Sequence, residues 1–310
     1  MNVEECDVQV GGLRLHVREA GSGPPLVLVN GIGAHAEMWR PLETALHDVR
    51  LVSFDAPGTG QSATPLVPRT MGALARLVEL LLDRLGLEHA DVLGYSWGGA
   101  LAQELALRSP ARVRRLVLSA TFPGWGGLPG AAEPLLAMMT PLRYWSRTYY
   151  EQTAGLIGGG RARTDRDHVA RMWMERRAHA PSLLGYGQQL WALCSWSSLR
   201  RLERVEAPTL VITGDDDPLV PVANAFLMAA RIPNARVVIC PGEGHFQLLD
   251  ADSDAVRAVR DFIHAERLED APVWRHAKAV DSAEAAERLR SQGLGAPPWG
   301  PMSALFRRLV

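Results

Sequence analysis

Between residues 8 and 18, polar and apolar positions alternate on either side of Gly11-Gly12, the pattern of two strands joined by a tight turn. After Gly21-Ser22-Gly23-Pro24-Pro25 the run at 26–30 is nearly all apolar and predicts a buried strand. Helical and extended periods then take turns. A helix is expected around 38–46, a strand at Arg50–Phe54, a helix at 70–85, a strand at 91–94, a helix at Trp97–Arg108 and a strand at Val113–Ser119. The alternation breaks at Phe122 and resumes with a strand at Thr209–Gly214, a helix near 223–230, a strand at 235–239 and a helix at 253–267. Strands that are apolar at consecutive positions and separated by helices predict an α/β fold, a mostly parallel sheet with helices on both faces.

The interruption holds five of the nine tryptophans (Trp125, Trp145, Trp173, Trp191, Trp196) and four of the five tyrosines (Tyr144, Tyr149, Tyr150, Tyr186). Its periodicity is more helical than extended, so it reads as a helical cap inserted into the sheet domain. The chain accordingly divides into a first core part at 1–121, the cap at 122–204, a second core part at 205–268 and a tail at 269–310. The aromatics have two readings, packing of a small helical layer or contact with a ligand, and Tyr186 and Trp191 are the candidates for the second. The tail carries one expected helix, 282–291, then Gly295-Ala296-Pro297-Pro298-Trp299-Gly300-Pro301 and a basic, apolar end at 305–310.

Charge narrows the partners. Thirty-three basic residues against 34 acidic ones leave a formal charge of −1, with no positive excess to hold a phosphate backbone, so nucleic acid is not an expected partner. Cys6, Cys194 and Cys240 are odd in number and show no metal or redox spacing, which suits a reducing cytoplasm. The first ten residues include Glu4, Glu5 and Asp7 and do not resemble a signal peptide. No apolar run approaches the roughly 18 residues of a transmembrane segment.

Gly94-Tyr95-Ser96-Trp97-Gly98 has the form of a nucleophile elbow, lying between an expected strand and an expected helix. Small residues at 94 and 98 allow the sharp corner that presents a serine hydroxyl above the sheet. A hydroxyl needs a base to become a nucleophile, and His245 lies on a glycine-flanked loop after the last strand, in Pro241-Gly242-Glu243-Gly244-His245-Phe246. The carboxylate that orients such a base is expected at a strand end between them. Gly214-Asp215-Asp216-Asp217-Pro218 offers three, of which Asp217 is assigned that role, with Asp215 and Asp216 shaping the turn through local hydrogen bonds. For the oxyanion, the Trp97 N–H and the Ile32 N–H in Asn30-Gly31-Ile32-Gly33 are the candidate donors. Gly31 and Tyr95 flank these donors and join Tyr186 and Trp191 as candidate substrate-binding residues.

Four motifs, Asn30-Gly31-Ile32-Gly33, Asp55-Ala56-Pro57-Gly58-Thr59-Gly60-Gln61-Ser62, Ser96-Trp97-Gly98-Gly99-Ala100-Leu101-Ala102-Gln103 and Gly214-Asp215-Asp216-Asp217-Pro218-Leu219-Val220-Pro221, resemble those of intracellular medium-chain-length polyhydroxyalkanoate depolymerases of the α/β-hydrolase fold. The cap stretch Gly158-Gly159-Gly160-Arg161 is similar too, and the resemblance spans about residues 25 to 265. It implies a triad of Ser96, Asp217 and His245, no metal or cofactor, and a cytoplasmic enzyme that hydrolyses storage polyester to 3-hydroxy acids. Its partners would be a hydrophobic ester or polyester and the surface of a polymer granule. Tyr95, where a small aliphatic residue is expected, and Glu243-Gly244-His245-Phe246 depart from the family pattern and leave the substrate open. A small-molecule carboxylesterase or lactonase would use the same parts, and a catalytically silent hydrolase-like binding protein is the reading from another class.

Overall fold

The structure, a computed structural model, describes residues 2–291, so the Gly- and Pro-rich stretch at 295–301 and the basic end at 305–310 lie outside the described residues. One sheet of eight strands organises it: β1 (Val3–Val10), β2 (Leu13–Ala20), β3 (Pro25–Val29), β4 (Arg50–Phe54), β5 (Ala90–Tyr95), β6 (Val113–Ser119), β7 (Thr209–Gly214) and β8 (Ala235–Cys240). Their order is β1-β2-β4-β3-β5-β6-β7-β8. The pairs β1–β2 and β2–β4 are antiparallel, and every pair from β4 to β8 is parallel.

Among the described residues, twelve α-helices accompany the sheet: α1 (Arg40–Ala45), α2 (Met71–Arg84), α3 (Trp97–Arg108), α4 (Ala132–Ala137), α5 (Leu142–Trp145), α6 (Arg147–Gly158), α7 (Arg166–Arg176), α8 (Leu183–Cys194), α9 (Ala223–Ala229), α10 (Asp254–His264), α11 (Pro272–His276) and α12 (Ser282–Leu289). Alternate strand residues go to opposite faces. Val27, Val29, Val92, Leu116, Leu118 and Val211 pack with Leu74, Val78, Leu101, Leu105 and Phe226 of α2, α3 and α9. Leu26, Leu28, Leu93, Val117, Leu210 and Ile212 pack with Leu42 of α1 and Val256 and Phe262 of α10. Both faces are dry, which is why the strands read as unbroken apolar runs, and each such side chain contributes roughly 1.5–3 kcal/mol by leaving water.

The tail helix expected at 282–291 ends at Leu289, and two other expected helices depart further from their patterns. The one at 38–46 is a 3-10 turn, Ala36–Trp39, followed by α1, because Pro41 has no N–H with which to continue a ladder through that point. The one at 253–267 ends at His264, with Ala265 extended. There the Arg115 guanidinium takes the carbonyls of Phe262 and Ile263 at 2.7 and 3.1 Å and those of Ala265 and Glu266 at 2.5 and 3.2 Å. A long-range cation thus caps a helix whose own sequence could have run on.

The described part of the tail is docked. Trp274 stacks on Phe262 with ring centroids 5.4 Å apart, and Lys278 exchanges two backbone hydrogen bonds of 2.8 Å with Val237 on the outer edge of β8. This bridge satisfies the outward N–H and carbonyl of Val237 on the edge strand. Between β6 and β7 the chain leaves the sheet to form α4 to α8, and returns at the next strand. Among the described residues no helix is long and apolar enough to cross a membrane.

Candidate active site

β3, β5, β7 and β8 run parallel, so the loops that follow them leave the same edge of the sheet, where open α/β sheets bind ligands. Ser96 lies between β5 and α3 with φ 54° and ψ −118°, and with Ala120 it is one of two non-glycine residues at positive φ among the described residues. Such a backbone costs of order 1–3 kcal/mol and persists only where its surroundings impose it. Here the Ser96 N–H donates to the Ser119 carbonyl at 2.9 Å, while its own carbonyl accepts from the Gly99 N–H at 2.9 Å and the Thr121 hydroxyl at 2.7 Å. A Cβ at Gly98 would collide with the Val29 carbonyl, so glycine is required for the corner. Ser96 keeps some exposure between buried Tyr95 and Trp97.

His245 Nε2 lies 2.9 Å from Ser96 Oγ, and His245 Nδ1 lies 2.8 Å from Asp217 Oδ2. The imidazole is 4% exposed and the carboxylate is fully buried. An ionised carboxylate only accepts, so it places the ring proton on Nδ1 and leaves the Nε2 lone pair for the serine hydroxyl. The other Asp217 oxygen, Oδ1, accepts the Leu219 and Val220 N–H groups at 2.9 and 3.0 Å. Asp217 therefore shapes its own turn. The local role expected of Asp215 and Asp216 is corrected: Asp215 Oδ1 accepts from Gly242 N–H at 2.6 Å, and Asp216 accepts from Gly160 N–H at 2.6 Å and pairs with Arg163 at 2.9 Å. Their partners lie in distant loops because the turn's own amides are already taken.

Tyr95, the departure beside the serine, has a visible role. Its hydroxyl donates to the His245 carbonyl at 2.9 Å, and burial pushes its pKa up, which keeps the donor proton in place. The His245 N–H donates to the Gly158 carbonyl at 2.6 Å. Gly158-Gly159-Gly160-Arg161 thus holds both the histidine loop and, through Gly160, the aspartate loop.

Trp97 is the first residue of α3, so its N–H has no partner one turn back in the helix. The Ile32 carbonyl accepts the Tyr144 hydroxyl at 2.7 Å and Arg143 Nη2 at 3.0 Å, and the Gly33 N–H donates to Gln189 Oε1 at 2.8 Å. The Ile32–Gly33 peptide is therefore clamped at both ends by the insertion. Gly31, Ile32, Tyr95, Ser96 and His245 line one cleft with Met38, Met138, Ile157, Phe246, Arg143 and Arg176. Its cavity volume of about 20 Å³ holds about one water molecule.

Two expected ligand contacts are not in this cleft. Trp191 is 45% exposed on the outside of α8. Tyr186 is buried behind the cleft, its ring against Gly33 and its hydroxyl donating to the Met138 carbonyl at 2.6 Å and accepting from Arg143 at 2.5 Å. The reason is the helix period: α8 turns Tyr186, Gln189 and Ala192 inward and leaves Trp191 on the opposite side. Arg143, Arg176 and Gln189 were not anticipated. For Arg176 a signal existed, since Val169, Met172, Trp173 and Arg176 share one helical stripe and all are buried. Among the described residues, no three His, Cys, Asp or Glu side chains are grouped to hold a metal ion.

The sheet order, the strained serine and the position of the insertion define a class. The chain belongs to the α/β hydrolase fold family, whose model matches residues 24–252. It is 39% identical over 244 residues to a poly(3-hydroxyalkanoate) depolymerase of Ectopseudomonas oleovorans, covering 78% of this chain and 85% of that one. It is also 31% identical over 259 residues to a pimeloyl-[acyl-carrier protein] methyl ester esterase of Nitrosospira multiformis, covering 77% of this chain and 94% of the other. Among solved structures, the enol-lactonase from Burkholderia xenovorans aligns with a TM-score of 0.72 at 25% identity, over 84% of this chain and 100% of that one.

Proposed function

We propose that the chain is a cytoplasmic serine ester hydrolase acting on medium-chain 3-hydroxyacyl esters and polyesters. The observation that carries this is the relay from Asp217 through His245 to Ser96, at 2.8 and 2.9 Å, with Ser96, His245 and Ile32 lining one cleft and the Trp97 amide following Ser96 at the start of α3. Ser96 Oγ bonds to the acyl carbon as His245 takes its proton, and the oxyanion rests on the two amides. The ester C–O bond then breaks, and the leaving oxygen takes the proton from His245. Water, deprotonated by the same ring, releases the acid and restores the serine. One water is consumed per ester bond.

The polyester reading draws support from the named activity of the relative at 39% identity and from the apolar lining given by Met38, Met138, Ile157 and Phe246. Each buried methylene is worth roughly 0.8 kcal/mol, or about fourfold, so kcat/KM should climb as the side chain of soluble 3-hydroxyacyl oligomers lengthens from methyl to pentyl. The cleft is tight, and a polymer segment needs the insertion to move aside. That tightness favours a second reading, a small-ester or lactone hydrolase. Initial rates across the series, followed by acid release from amorphous granules, decide between them. A flat or falling slope with no release from granules would leave the second.

A further inference from the structure

Arg143 and Arg176 line the cleft beside Ser96, and they are only 2% and 3% exposed. A guanidinium taken out of water is strongly disfavoured unless an anion or a full set of acceptors replaces the solvent. Neither has a carboxylate partner among the described residues. Arg143 reaches neutral oxygens only, the Tyr186 hydroxyl at 2.5 Å, the Ile32 carbonyl at 3.0 Å and the Tyr144 hydroxyl at 3.5 Å. Arg176 is less satisfied still, with the buried Tyr150 hydroxyl as its neutral side-chain partner. Its guanidinium lies over the Phe246 ring at 4.6 Å and near the Tyr150 and Tyr144 rings at 5.4 and 5.9 Å, and its Nε is buried with no hydrogen-bond partner.

Stacking on aromatic rings fixes the plane of a guanidinium and leaves its edge for a planar anion. Two guanidinium charges with no anionic partner among the described residues, lining a cleft with a serine poised to attack an ester, are suited to one ligand chemistry above others. From this geometry we propose that Arg176, backed by Arg143, is a carboxylate subsite, so that the preferred substrates are esters carrying a free carboxylate close to the scissile bond. The inference rests on the ester-hydrolase reading and sharpens its substrate. In a 3-hydroxyacyl polyester only the carboxyl-terminal unit meets the requirement, with two carbons between its carboxylate and the last ester oxygen. Ser96 Oγ bonds to the penultimate acyl carbon, the terminal C–O bond breaks, and the departing oxygen takes the proton from His245. The terminal 3-hydroxy acid leaves with its carboxylate intact. Water then frees the shortened chain, which bears a new terminal carboxylate, and the cycle repeats with monomer as its product.

The test compares the dimer 3-(3-hydroxyoctanoyloxy)octanoic acid with its primary amide, using the full chain. The acid should exceed the amide in kcat/KM by about tenfold or more, the value of a charge-assisted pair. That ratio should collapse in Arg176→Gln, and the ratio is the readout, so a general loss of rate in the variant does not obscure it. A measurement on the unmodified protein guards against misfolding of the variant: octanoate should inhibit p-nitrophenyl acetate hydrolysis more strongly than octanamide. Equal rates for acid and amide, with octanoate no better an inhibitor, would overturn the subsite while leaving the hydrolase intact. A preference that survives in Arg176→Gln would overturn the role of Arg176. If no ester is cleaved and a fluorophosphonate leaves Ser96 unmodified, the ester-hydrolase reading itself fails and the subsite falls with it.

Discussion

Gln189 accepts the Gly33 N–H on its side-chain oxygen at 2.8 Å. Its backbone carbonyl takes the Trp97 indole N–H at 2.9 Å, so one residue of α8 holds both corners of the candidate oxyanion site. Gln189→Leu leaves a buried N–H unpaired and frees the loop that aims the Ile32 amide. The expected result is a fall in kcat of about tenfold or more with a smaller change in KM, since misplacement of an oxyanion donor acts on the transition state. Steady-state rates on an aryl ester check it, and an unchanged kcat would show that α8 does not position the loop.

The three aspartates separate by partner. Asp217→Asn keeps an acceptor for the Leu219 and Val220 amides but turns the ring of His245 to the wrong tautomer, and kcat should drop by about 10³ to 10⁴. Asp216→Asn breaks a half-exposed pair with Arg163, worth at most about 1 kcal/mol, and should lower the melting temperature by a few degrees with most activity kept. Rates and melting curves of the two variants side by side test the distinction. Inactive Asp216→Asn with active Asp217→Asn would reverse the assignment.

His35 supplies a pH signature. Burial holds its imidazole down to about 4, helped by the neighbouring His179 and Arg176 charges and opposed by the Glu175 carbonyl and Glu37. The unfolded ring protonates near 6.5, so between about pH 6.5 and 4 the unfolded chain binds a proton that the folded one refuses. The contribution is fully present above 6.5 and is lost as pH falls through that window. In His35→Gln this part of the acid sensitivity disappears. Urea midpoints at pH 7 and pH 4.5 should show the gap between wild type and variant narrowing or reversing at the lower pH; a constant gap would mean that His35 titrates normally.

The parts of the fold that were legible in the sequence are those governed by local pattern. Trp97–Arg108 and Val113–Ser119 keep their expected bounds because all but one residue of each is buried. The end of α10 was not legible, because its cap is Arg115, some 150 residues away in sequence. In the site, Ser96, Asp217 and His245 each lie at a strand end marked by glycine or aspartate, and that chain order can be read directly. Arg143 gave no such mark. Its placement depends on how five short helices fold back over the sheet, and the outward position of Trp191 follows from the helix period of α8, which aromatic content alone does not show.

The most direct test of Ser96 as the activated nucleophile is covalent labelling by a fluorophosphonate, with the adduct located by peptide mass spectrometry. The expected result is one adduct per chain, on the peptide containing Ser96, absent in Ser96→Ala and slowed by orders of magnitude in His245→Ala. Failure of the wild-type protein to label, or ester turnover retained in Ser96→Ala, would contradict it.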